Sequence, residues 1–80
     1  MYAVVNFEHN GRWAICNHER KFIKMSCGRV YFDTLNELVS QFSDDKIEIE
    51  TCLFVPGRKK YLYAFNTREE LIDQCVEDLI

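Results

Sequence analysis

Phe32-Asp33-Thr34-Leu35-Asn36-Glu37-Leu38-Val39-Ser40-Gln41 returns at positions 65–74 as Phe65-Asn66-Thr67-Arg68-Glu69-Glu70-Leu71-Ile72-Asp73-Gln74, with Phe, Thr, Glu, Leu and Gln in register. In each copy a Thr stands three residues before a Glu. That is the spacing of a capping box, in which the hydroxyl takes one orphan N–H of a new helix and the carboxylate reaches back for another. Beyond the first cap, Leu35, Leu38, Val39 and Phe42 recur at helical spacing on one face. Beyond the second, Leu71, Ile72, Cys75, Val76 and Leu79 do the same, with Glu69, Glu70, Asp73, Glu77 and Asp78 outward. Two one-sided helices need an apolar surface to cover, and the rest of the chain offers a sheet.

Working outward toward the N-terminus, residues 2–8 alternate so that Ala3, Val5 and Phe7 share a face. His9-Asn10-Gly11 then supplies the Asn-Gly pair that favours a two-residue hairpin turn. A second strand is expected from Arg12 to about Asn17, a polar turn over His18–Lys21, and a third strand from Phe22. Gly28 interrupts that third strand. A bulge within one strand running to Phe32 is expected, with a turn between two short strands as the alternative. Between the two helices, 46–55 alternates with Ile47, Ile49, Leu53 and Val55 on one side and Glu48 and Glu50 on the other. Pro56-Gly57 suits a type II turn, and Lys60–Phe65 returns as the partner strand.

The expected fold is therefore α+β: a single small domain over residues 1–80, built from two related strand-cap-helix units (about 12–45 and 46–80), in the order βββαββα. About five strands form a mainly antiparallel sheet, with both amphipathic helices on one face. The other face is expected to be partly bare, showing Glu48 and Glu50 with some of Trp13, Tyr31, Tyr61 and Tyr63.

Composition narrows the class. A content of 48% hydrophobic and 14% aromatic residues excludes a disordered chain. No apolar run is long enough to cross a bilayer and the first residues lack a leader's charged and apolar regions, so no membrane and a cytoplasmic location are expected. Four cysteines, Cys16, Cys27, Cys52 and Cys75, lie scattered without a C-x-x-C pair, the pattern of buried thiols in a reducing compartment. A net charge of −3 leaves no basic excess for a polyanion, which disfavours nucleic acid.

Catalytic groups are not signalled. Cys16, His18 and Cys27 could approach one another, but their spacing matches no common zinc pattern, and no cofactor is expected. A nucleophilic cysteine with His9 or His18 as base lacks an orienting group and an oxyanion site, so the chain is not expected to be an enzyme. Acidic residues gather at Asp44, Asp45, Glu48 and Glu50 and again along the last helix. They read either as a solvated face or as a negative surface for a basic partner protein. Arg58, Lys59 and Lys60, with Arg20, Lys21 and Lys24, interleave with Tyr61, Tyr63 and Phe22 in a way that would suit single-stranded nucleic acid. Packing and edge protection in a sheet account for the same letters.

Two resemblances accompany these features. Gly28-Arg29-Val30-Tyr31-Phe32-Asp33-Thr34-Leu35-Asn36-Glu37-Leu38-Val39 resembles the strand and second helix of Src-homology phosphotyrosine-binding domains. The buried-arginine strand and first helix of that family have no counterpart upstream, so no binding residue is carried over. As a whole, a short acidic chain with hairpins feeding a capped helix through Phe-Asp-Thr is similar to small phage-encoded inhibitors such as anti-CRISPR proteins. That likeness implies occupation of a surface on a host nucleoprotein complex, in the host cytoplasm. The expected function is a protein-binding module, with a small nucleic-acid-binding domain using its sheet face as the alternative. The expected contact residues are Glu48, Glu50, Glu70, Glu77, Tyr61, Tyr63 and Trp13, and a homodimer through the bare sheet is a further possibility.

Overall fold

A computed structural model of the chain describes residues 1–43, 48–49 and 57–79. These form β1 (Tyr2–Phe7), β2 (Trp13–Cys16), β3 (Ile23–Lys24), α1 (Leu35–Gln41), β4 (Glu48–Ile49), β5 (Lys59–Phe65) and α2 (Arg68–Cys75), which tightens into a 3-10 turn at Val76–Asp78. The fold is α+β with an antiparallel sheet and two helices.

Of the expected sheet of about five strands, the described residues show part. The described strands fall into a three-stranded sheet of order β2-β1-β5 and a separate pairing of β3 with β4. Strand β5 pairs with β1, Val5 opposite Tyr61 and Asn6 opposite Lys60, while Glu48 lies opposite Lys24. The rest of the expected 46–55 strand, the turn at Pro56 and residues Asp44, Asp45, Glu50 and Cys52 lie outside the described residues.

Two turns also differ from expectation, each because a glycine takes the left-handed backbone that other residues resist. The β1–β2 connection is a four-residue loop, closed by the Phe7 N–H on Arg12 O at 2.9 Å and the Gly11 N–H on Phe7 O at 2.8 Å. Gly11 has φ +71, and Asn10 Oδ1 accepts the Arg12 N–H at 2.9 Å, so the Asn-Gly pair ends a longer loop instead of forming a two-residue turn. Gly28, at φ +85, closes a tight hairpin instead of a bulge. The Gly28 N–H donates to Met25 O and the Met25 N–H to Arg29 O, both at 2.9 Å.

The sheet is covered on both faces. Val4 and Ile15, paired across β1 and β2, join Phe32, Leu35, Leu38, Val39, Phe42, Phe65, Leu71 and Cys75 in the main core, so both helices lie over this face. Val5, Phe7, Ala14 and Cys16 face the other way, against Phe22, Val30 and the half-buried Tyr31. The two phenylalanines that open the repeated stretch hold the flanks. Phe32 pairs antiparallel with Trp13 beyond β2, and Phe65 pairs with Tyr2 on the β1–β5 side. Each delivers a Thr whose hydroxyl accepts the N–H of the Glu three residues on, at 3.1 Å for Thr34 and 3.2 Å for Thr67. The helices thus start from opposite edges of the sheet and meet over its middle.

Candidate functional site

The last helix carries an unusual charge arrangement. Glu70 belongs to its start: the carboxylate accepts the Asn66 N–H at 2.8 Å, one residue before the N-cap Thr67, whose hydroxyl accepts the Glu70 N–H. Charge reversal at Glu70 would therefore also disturb the start of the helix. Glu37, its counterpart on α1, instead turns to Arg29 at 4.0 Å. Farther along, Glu69, Asp73 and Glu77 are exposed. No ion pair engages them among the described residues. No basic residue stands in the last turn of α2, and Glu77 and Asp78 follow directly. A helix C-terminus is already negative, so carboxylates there are unfavourable.

Asp78 is offset by Tyr63, whose hydroxyl donates to its carboxylate. That hydrogen bond, helped by desolvation and by the Asp78 charge, pushes the Tyr63 phenol up to about 12. Tyr63 and Leu79 pack against the main core, but Val76 is 56% exposed amid the carboxylates. This corrects its expected place on the buried helix face. The 3-10 turn winds more tightly than an α-helix, so Val76 swings off the stripe that Leu71 and Cys75 follow. The end of α2 is therefore a negative surface with an apolar centre.

The remaining expected contact residues do not share that surface. Trp13 is half-buried and packs against the helix-side core, so it is not an exposed aromatic. Tyr61, 45% exposed, lies opposite Val5 on the other face of the sheet. Glu48 is exposed on β4, its Cα opposite that of the half-buried Lys24. The Arg20 guanidinium carbon stands 3.8 Å from the centre of the Tyr61 ring. Beside this pair an open groove of about 320 Å³ runs over the end of the sheet. The sequence grouped Arg20 with Tyr61 as a candidate for single-stranded nucleic acid and the structure brings the two together, but the groove had no local mark, since the Ala3–Cys16 pairing that lines it is non-local.

Cys27 is exposed at the Gly28 hairpin, contrary to the expected burial of every thiol, because a hairpin tip has nothing above it. Cys16 and Cys75 are buried, and desolvation pushes both thiols up; at Cys16 the Arg20 charge pulls the other way. Among the described residues no three His, Cys, Asp or Glu side chains converge as metal ligands. No helix among them is long and apolar enough to cross a membrane. No protein-family model matches this chain, and no curated protein or solved structure is significantly similar to it.

Proposed function

We propose that this protein is a non-enzymatic binding module that docks on a basic protein surface through the end of α2, in the manner of the small phage-encoded inhibitors it resembles. The observation that carries this reading is the negative charge of Asp73 and Glu77, unpaired among the described residues, around the exposed Val76. Carboxylates at a helix C-terminus cost roughly 0.3–1 kcal/mol each, so stability does not account for their placement. An apolar centre ringed by charge is how interfaces combine affinity with steering. The host's nucleoprotein complexes are the partner class, since proteins that hold nucleic acid present basic surfaces.

The test compares capture of host proteins by the wild type and by an Asp73→Lys, Glu77→Lys variant, followed by isolation of the recovered complex. A stoichiometric complex with a basic protein, weakened by salt and lost in the variant, supports the reading; equal recovery by both overturns it. Nucleic-acid binding on the sheet face is less well served. Phe22 is buried and Tyr63 packs toward the helices, which leaves Tyr61 as the exposed ring of that set. A salt dependence as steep as several phosphate contacts require would restore that alternative.

A further inference from the structure

The groove beside Tyr61 is a separate feature from the acidic helix end and has its own logic. On this face, Val5 and Ala14 are roofed by the cluster of Phe22, Val30 and Tyr31. One pair further along, Ala3 and Cys16 are both small and line an opening of about 320 Å³. That volume is at the lower end of the range for small-molecule sites. The strand on the far side bends away at this level, because β5 shifts register against β1 between Tyr2 and Val4, opposite Leu62–Phe65. A shift of this kind places an extra residue in one strand, opens the pleat and re-aims side chains.

Backbone strain gathers here. Arg20 at φ 65 and Tyr63 at φ 52 are the non-glycine residues with left-handed backbone among the described residues, and both line the groove. Such conformations cost on the order of 1 kcal/mol and persist where the surroundings enforce them. Asn17 enforces the first: its buried side-chain oxygen accepts the N–H of Glu19 at 2.9 Å and of Lys21 at 3.0 Å. The loop is thereby fixed with the Arg20 guanidinium over Tyr61. Among the described residues no carboxylate pairs with that guanidinium. Its planar fork can stack on a flat ring while its edge donates to an anion. His18 also lines the groove, and beneath Ala3 the Cys16 thiol is buried, with desolvation pushing it up.

From this we infer that the groove binds a small molecule that joins a planar aromatic ring to a single anionic group, the ring resting beside Tyr61 over Ala3, with Cys16 buried beneath, and the anion on Arg20. A nucleoside monophosphate and an aryl carboxylate share that chemistry. Titration of isotope-labelled protein with adenosine monophosphate and, separately, with indole-3-carboxylate distinguishes the two sources, the tighter binder marking the natural class. At least one is expected to give saturable amide shifts confined to Ala3, Cys16, Arg20, Tyr61, Tyr63 and their neighbours. Its uncharged counterpart, adenosine or indole, is expected to bind about tenfold more weakly, as is the same anion to Arg20→Gln. Arg20→Gly relieves the left-handed strain, folds at least as well, and is expected to abolish the shifts. Shifts that fail to saturate with both anions, that centre elsewhere, or that persist unchanged in Arg20→Gln overturn the inference.

Discussion

Single side chains here do unlike work despite similar sequence contexts. Tyr63 and Tyr61 are two residues apart on β5, yet Tyr63 ties the strand to the turn after α2 through Asp78, while Tyr61 stays open under Arg20. The tie has a pH signature. The Tyr63 phenol is raised from 10.0 to about 12 in the folded protein, so its proton is held more tightly there than in the unfolded chain. The stabilisation is fully present below pH 10 and lost as pH rises through 12. A spectroscopic titration of the tyrosines is expected to include a late component from Tyr63, which returns toward the ordinary range in Asp78→Asn; Tyr63→Phe should remove that component altogether. Glu70 and Glu77 diverge in the same way. Glu70→Gln keeps an acceptor for the Asn66 N–H and is expected to cost little, whereas Glu70→Lys loses that acceptor, about 1 kcal/mol in denaturant titration.

At the scale of elements, α1 and α2 have 7 and 8 residues, too short to persist alone, so their caps and their buried stripes hold them together. Thr34→Ala and Thr67→Ala are each expected to cost about 1 kcal/mol. Leu38→Ala and Leu71→Ala, at matching positions and fully buried, should each cost about 2–5 kcal/mol by the same denaturant measurement. Glu77→Lys has the opposite sign. It is expected to raise stability by roughly 0.3–1 kcal/mol, seen as a higher melting temperature, because it complements the helix end. Caps and stripes were legible in the sequence since each is encoded within a few adjacent residues. The end of α2 was not, because the change of winding after Cys75 leaves no local mark, and extrapolating the helical period carried Val76 to the wrong side.

Across the whole molecule the sheet separates two apolar clusters, and this is where alternation along a strand misled. Ala3, Val5 and Phe7 do share a face, but Val4 is equally buried on the reverse, so period-two patterning could not say which side was open. Trp13 and Tyr63 were expected on a bare surface for that reason; they lie against the helices. Strand partners were hidden because pairing is non-local: nothing near Lys59 announces that it will lie against Phe7. Burial on both faces also predicts graded thiol chemistry. In native protein Cys27 is expected to be alkylated at once and Cys16 and Cys75 only when the fold opens, as mass spectrometry of the labelled peptides would read. Equal rates at Cys27 and Cys16 would mean that the second cluster does not close over the sheet.

The central place of β1 also dictates a timetable for assembly. Residues 2–7 leave the ribosome well before residues 59–65, so β1 finds one of its two neighbours late. Until then a nascent chain carries Val4 and Val5 on a strand with one raw flank, the kind of edge that recruits other chains. The longer the synthesis of the intervening residues takes, the longer that flank stays open.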